Sequence, residues 1–197
     1  MEQKKESINL NNTVTVKVKK LHPDAVIPVY AHEGDAGFDL VAVENVLITP
    51  GGSELIPTGL AFEIPLGYEM QIRPRSGISG KTKLRIPNAP GTVDSCYRGE
   101  IKVILENTNN DLELFMDYVE GLANGNYLVT DDGSIGKTEV GGDFFVNSPC
   151  VPYLIRKGDR IAQGVIQRLP VVELVETDEL SDSERGAGGF GSSGVRV

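Results

Sequence analysis

The chain has 197 residues, 40% of them apolar and 24% charged, with a net charge of −9 at neutral pH. That length supports one domain with a sizeable core, and the mixture excludes collagenous, low-complexity and wholly disordered chains. The acidic balance and the lack of a basic stripe argue against nucleic acid as a partner, whose binding rests on phosphate neutralisation by Lys and Arg.

Met1 to Asn12 is polar and lacks the apolar run of a leader or a membrane span. No membrane association and a cytoplasmic location are therefore expected, with Cys96 and Cys150 reduced. Two histidines, His22 and His32, and no CxxC spacing speak against a structural zinc site. Thr13 to Lys19 places Val14, Val16 and Val18 on one face and predicts a half-buried strand. Apolar runs at Val46–Ile48, Leu60–Ile64, Tyr68–Ile72, Ile101–Leu105, Ile161–Ile166 and Val171–Val175 predict further strands. Between them lie turn signals such as Pro50-Gly51-Gly52, Pro65-Leu66-Gly67, Asn88-Ala89-Pro90-Gly91 and Lys157-Gly158-Asp159. Many short strands with Gly/Pro turns predict an all-β sandwich or barrel, not alternating β-α units.

From Asn109 to Pro152 the rhythm breaks and the chain becomes Gly- and Asp-rich. Asp131-Asp132-Gly133 predicts a turn after Tyr127–Thr130. The apolar residues between Leu112 and Leu122 fit helical and strand spacing alike. From Ser181 the chain is rich in Ser and Gly and is predicted to be mobile on its own.

Five segments are too dense in glycine and charge for ordinary turns. They are Gly34 to Leu40, Pro74 to Ser79, Asn88 to Asp94 continuing through Tyr97-Arg98-Gly99-Glu100, Lys157 to Gln163, and Arg185 to Gly194. Arg beside Ser and Gly offers a bidentate donor, a hydroxyl and an approachable backbone N–H, the groups that hold a phosphate. Carboxylates at Asp39 and Asp94 can hold hydrated Mg²⁺ or take a proton from water. Each piece alone reads as a turn, a salt bridge or an Asx-type cap; Phe190 alone reads as a hydrophobic anchor.

In this order the five segments closely resemble the five motifs of the homotrimeric dUTPase (deoxyuridine 5'-triphosphate nucleotidohydrolase) family, from about Val14 to Gly194. The resemblance implies a jelly-roll-like β-barrel of the β-clip kind, three copies around a threefold axis. It implies hydrolysis of dUTP to dUMP and pyrophosphate with Mg²⁺ as cofactor, which keeps uracil out of DNA and supplies dUMP for thymidylate synthesis. It also implies one domain over 1–197, with an insert at about 109–152 and a C-terminal arm at about 181–197.

Residue by residue, Asp94 matches the family's general base for the water that attacks the α-phosphorus. Asp39 matches the carboxylate that holds Mg²⁺ through its water shell. Arg75, Ser76, Gly77 and Gln163 match contacts to the triphosphate. Asn88 and the turn Gly91, Thr92, Val93, Asp94 match the hairpin whose backbone reads the uracil edge. Tyr97 matches the aromatic under the deoxyribose that leaves no room for a 2′-OH, and Lys102 falls where relatives touch the nucleoside. Arg185, Phe190, Gly191, Ser192 and Ser193 match the arm that closes over the site.

The stretch between the third and fourth motifs is longer than the roughly dozen residues of an ordinary connection in a compact domain. It resembles the inserts of phage-encoded dUTPases, some of which also bind repressor proteins; if this chain is phage-encoded, its location is the host cytoplasm. A surface hairpin is the plainer reading, and a protein-binding face the bolder one. Gly133 to Thr138 looks like a phosphate loop, but its first required glycine falls on Asp131, and no βαβ unit surrounds it. A dCTP deaminase of the same fold is the enzymatic alternative. Its pattern has a second Ser after the Arg-Ser pair, where this chain has Gly77. A nucleotide-gated protein-binding module is the non-enzymatic one.

Overall fold

The structure, a computed structural model, describes residues 13–109, 127–129, 135–137 and 152–189. It is built almost wholly of short strands. In chain order these are β1 (Lys17–Lys20), β2 (Phe38–Val41), β3 (Val46–Ile48), β4 (Ser53–Pro57), β5 (Leu60–Glu63) and β6 (Tyr68–Arg73). One helix, α1 (Ser76–Lys81), follows, then β7 (Leu84–Arg85), β8 (Gly91–Val93) and β9 (Lys102–Asn107). The last are β10 (Tyr127–Val129), β11 (Ile135–Lys137), β12 (Tyr153–Ile155) and β13 (Arg160–Arg168).

Period-two alternation drives the larger sheets. In β6 Met70 and Ile72 turn inward while Gln71 and Arg73 stay partly exposed; in β9 Val103, Leu105 and Asn107 turn inward. The four-stranded sheet runs β2-β13-β6-β8 and the three-stranded one β4-β9-β7, with β1-β5 and β12-β3 as two-stranded pairs. Between them Leu40, Ile48, Ile56, Leu60, Met70, Val103, Leu105 and Ile161 are fully buried, each contributing roughly 1.5–3 kcal/mol of transfer free energy. The sheets do not close into one continuous hydrogen-bonded barrel among the described residues; the all-β layered class stands. Lys17 faces Glu63 across the β1–β5 ladder at 2.8 Å, and its ammonium holds that carboxyl below its usual range.

Gly164 lets β2 and β6 close on β13. It pairs with Phe38 on one side and Ile72 on the other, and a Cβ there would lie 2.5 Å from Phe38 Cε2 and 3.1 Å from Met70 Sδ. Phe38 in turn stacks on Phe62 with centroids 6.1 Å apart and meets Tyr30 edge-on at 5.8 Å.

Three local expectations change. Thr13–Lys19 yields a strand only over Lys17–Lys20, where β5 offers a partner. Val171–Val175 forms no strand: Val171 and Val175 are exposed, and no strand among the described residues offers a ladder there. Pro74 to Ser79 runs into α1, whose first residue Ser76 follows an extended Arg75. Of the insert, β10 and β11 pair antiparallel with each other and with no other strand among the described residues; the predicted turn Asp131-Asp132-Gly133 lies outside the described residues. The ambiguous stretch Leu112–Leu122 and Cys150 lie outside the described residues, and Cys96 is a free, exposed thiol.

Candidate active site

The ladder β2-β13-β6 sets Asp39, Gln163 and Arg73 side by side. A bulge between Arg160 and Ala162 sets this register, burying both Ile161 and Ala162 and leaving Gln163 partly exposed. Arg75, just past β6, reaches back to Asp39: its Nε donates to Oδ1 at 2.7 Å and its Nη2 to Oδ2 at 3.5 Å. Arg160 Nη1 approaches the same Oδ2 at 3.4 Å, and its own carbonyl accepts Arg75 Nη1 at 3.2 Å. Two guanidiniums thus share one carboxylate, leaving a net positive cluster that suits a polyanion. Ser76 and Gly77 lie exposed beside it. Gly77 needs neither a positive φ nor close packing, because nothing lies within 4 Å of where its Cβ would stand. The fold of this chain gives no reason for glycine there.

The second assembly is a cleft of about 600 Å³ lined by Asn88, Thr92, Val93, Asp94, Tyr97, Glu100, Ile101, Lys102, Leu55 and Ile104. Its floor belongs to β8 and β9. β8 is an edge strand, so one row of its backbone N–H and C=O groups has no ladder partner among the described residues. Gly91, buried at its start, packs against Asn88 and Ile72 after a cis Ala89–Pro90 bond. Asp94 follows directly and is exposed, and its carboxylate makes no hydrogen bond or ion pair among the described residues. Tyr97 folds back over Gly99 and donates its hydroxyl to the Glu100 carbonyl at 3.1 Å. Lys102 Nζ lies 3.5 Å from Glu100 Oε2.

The fold therefore gathers Asn88, Gly91, Thr92, Val93, Asp94, Tyr97 and Lys102 at one cleft, and Asp39, Arg75 and Gln163 at a cationic cluster with Ser76 and Gly77 at its edge. No hydrogen bond or ion pair joins the two groups among the described residues. Among the described residues Arg185 makes no hydrogen bond or ion pair to either of them: it sits in an exposed turn and donates Nε to the Gly188 carbonyl at 2.8 Å. Phe190, Gly191, Ser192 and Ser193 lie outside the described residues. Arg160, at the cationic cluster, and Glu100, in the cleft wall, join the residues that the sequence singles out. Both stand inside the glycine- and charge-dense segments, but their partners are set by sheet register and turn packing, not by spacing.

The donor set decides what form of Mg²⁺ fits. No group of three or more His, Cys, Asp or Glu that could hold a metal occurs among the described residues, and Asp39 already faces two guanidiniums. A cation held directly by a cluster of protein carboxylates does not fit the described residues around Asp39. A hydrated ion that Asp39 would hold through water fits this donor set.

In this all-β chain the edge-strand cleft with its free carboxylate suits a polar-edged ligand, and the separate cationic cluster suits an anionic group. The dUTPase family model matches residues 24–114 and 121–194, and the chain belongs to the dUTPase family. It is 44% identical over 179 residues to the deoxyuridine 5'-triphosphate nucleotidohydrolase of Nautilia profundicola, covering 91% of this chain and 98% of the relative. Among solved structures it is similar to the Staphylococcus bacteriophage 80alpha dUTPase with dUPNHPP, with TM-score 0.71 and 34% identity over 93% of this chain and 100% of that one. It is also similar to a mutant dUTPase from phage phi11 of S. aureus reported to reveal the coordination of a structural Mg(II) ion. There the TM-score is 0.63 and the identity 28%, over 84% of this chain and 97% of that one.

Proposed function

We infer that this member of the dUTPase family hydrolyses dUTP to dUMP and pyrophosphate at the Asn88–Lys102 cleft, with Asp94 as the general base. The observation that carries this is the contrast between the two carboxylates. Asp39 is neutralised by Arg75 and Arg160, whereas Asp94 stands unpartnered in a nucleoside-sized cleft, free to orient a water and take its proton. The activated water oxygen bonds to the α-phosphorus, the bond from that phosphorus to the α,β-bridging oxygen breaks, and pyrophosphate leaves with that oxygen.

Uracil lies against the free edge of β8, where backbone groups at Gly91–Asp94 and the Asn88 amide pair with its edge. Cytosine would leave those groups unpaired, and thymine would press its methyl on the turn. Tyr97 packs under the deoxyribose. Arg75, Ser76, Gly77 and Gln163 take the triphosphate; the absence of a Cβ at Gly77 lets a phosphate reach its backbone. Arg75 then exchanges part of its contact with Asp39 for phosphate oxygens, and Arg160 keeps Asp39 neutral. When bound, Mg²⁺ would neutralise phosphate charge and polarise the scissile group, and Asp39 would hold it through water. Arg185, Phe190, Gly191, Ser192 and Ser193 close over the ligand and exclude solvent.

Three copies would complete the site. Val171, Val172, Leu174, Val175 and Leu180 are exposed along a segment without strand partners, an apolar run that a neighbouring copy would cover. The working unit is one domain over 1–197 with an insert and an arm, acting in the cytoplasm, the host's if phage-encoded. No helix among the described residues is long and apolar enough to cross a membrane. A second role rests on the 109–152 insert as a face for a protein partner such as a repressor; the support is that β10 and β11 form their own sheet and pair with no other strand among the described residues.

The test of the base is Asp94→Asn. Turnover falls by roughly 10²–10⁴-fold, the usual worth of a positioned base, while dUTP affinity measured by calorimetry stays within a few-fold. A variant with near-wild-type kcat would remove Asp94 from the mechanism.

A further inference from the structure

We propose that Glu100 is a positioning residue for sugar recognition: its side chain pins the Tyr97–Lys102 wall of the cleft to the turn between β4 and β5. The proposal rests on the reading of Tyr97 as the residue under the deoxyribose.

Four hydrogen bonds join the two segments. Thr58 donates both its N–H (3.3 Å) and its Oγ1 (2.6 Å) to the Ile101 carbonyl, and Ile101 N–H donates to the Leu60 carbonyl at 2.8 Å. The fourth is different in kind: Gly59 N–H donates to Glu100 Oε1 at 2.9 Å. Within this clamp Glu100 supplies the one side-chain acceptor, and it is a charged one, which strengthens the bond. The turn it grips cannot shift freely. Gly59 has φ +64°, and a Cβ on it would lie 2.7 Å from His22 Cβ and 3.0 Å from both Ala25 Cβ and Val43 Cγ1. Glu100 is thus anchored to a backbone position that is itself wedged into the core.

From that anchor the geometry leads to both ligand-facing side chains. The Glu100 carbonyl accepts the Tyr97 hydroxyl, which fixes how far the ring leans into the cleft. The second carboxylate oxygen, Oε2, faces Lys102 Nζ and holds the ammonium along the same wall. Glu100 and Lys102 also line a smaller cavity of about 300 Å³ with His22, Val43, Pro57 and Gly59. Glu100 therefore stands between the two cavities, with Leu55 and Lys102 lining both. A shorter side chain would open one into the other and let the Tyr97 turn move away from the sugar.

The experiment compares wild type, Glu100→Ala, Glu100→Asp and Glu100→Gln by kcat/KM for dUTP and for UTP with Mg²⁺. Gln keeps an acceptor oxygen at the same reach, whereas Asp keeps the charge but falls a methylene short of Gly59 N–H. The expected result is that Ala and Asp lower the dUTP-to-UTP ratio by about tenfold or more, the scale of one lost hydrogen bond to a charged acceptor. The loss appears chiefly in KM for dUTP, and Gln restores most of the ratio. A second arm combines Glu100→Asp with Tyr97→Phe: if Glu100 acts through the Tyr97 turn, the two effects on the ratio are less than additive. Glu100→Asp and Glu100→Gln keep the side chain polar and close in size, so the comparison stands even where Ala unfolds the chain. A folded Asp variant with an unchanged ratio would overturn the proposal, as would a Gln variant as impaired as Asp. A wild type that does not prefer dUTP to UTP would overturn the sugar-site reading itself, a result distinct from either of those.

Discussion

Two glycine-to-alanine substitutions, one in the core and one at the cationic cluster, should give opposite results. At Gly164 an added methyl would lie 2.5 Å from Phe38 Cε2, 2.8 Å from its Cζ and 3.1 Å from Met70 Sδ. Phe38 is buried between Phe62 and Tyr30 and has little room to retreat. Overpacking of this kind costs about 1–3 kcal/mol, which for a chain of this length lowers Tm by roughly 2–4 °C per kcal/mol. Phe38 also precedes Asp39, so the displacement reaches the cluster, and KM for dUTP should rise alongside the fall in Tm. At Gly77 the same methyl meets nothing within 4 Å. It lies within α1, where Ala is favoured over Gly by roughly 0.5–1 kcal/mol. Gly77→Ala should therefore melt at or slightly above the wild-type temperature. If a phosphate approaches that backbone, kcat/KM falls by roughly 10²-fold, the usual consequence of displacing a bound ligand by an ångström. Thermal melts followed by pyrophosphate-release kinetics measure both. A Gly164→Ala protein of unchanged Tm would refute the packing argument, and a fully active Gly77→Ala protein would refute the reading of Gly77 as a phosphate contact.

Truncation after Glu184 should leave Tm nearly unchanged, since among the described residues the hydrogen bonds of Arg185 to Gly189 run only to one another and to the neighbouring Ser183, and should reduce turnover sharply by removing Arg185 and Phe190. A truncated protein that hydrolyses dUTP normally would end the arm assignment. Replacing residues 110–150 with a short Gly/Ser linker should leave Tm and kcat/KM near wild type, because β10 and β11 pair with no other strand among the described residues. A large loss of stability, or dissociation of the assembly on a sizing column, would make the insert part of the architecture.

Contiguous chemistry was legible in the chain and long-range pairing was not. The turn Asn88–Asp94 and the following Tyr97 carry their own signal, and the structure gathers them at one cleft because β8 and the start of β9 are close in sequence and share its floor. β3 falls on Val46–Ile48 as its apolar run predicts. By contrast, the sharing of Asp39 between Arg75 and Arg160 depends on the register of β2 on β13, including a bulge, and no local pattern encodes it. Asp39 reads as a turn residue because glycines precede it, yet it stands on β2, where Phe38 and Leu40 alternate inward. β4 was missed because Ser53 and Glu54 dilute a strand whose only buried residues are Ile56 and Pro57. Val171–Val175 was misread because an apolar run says that something covers it, not whether the cover belongs to the same chain. The helix α1 escaped notice because it carries two glycines and buries no residue.

The central claim is that this chain turns over dUTP selectively at the Asp94 cleft, and pyrophosphate release across dUTP, dCTP, dTTP and UTP, with Mg²⁺ and with EDTA, tests it most directly. Rapid release from dUTP alone, abolished by EDTA, is the predicted result. Comparable release from all four nucleotides, or ammonia from dCTP in place of pyrophosphate from dUTP, would contradict it.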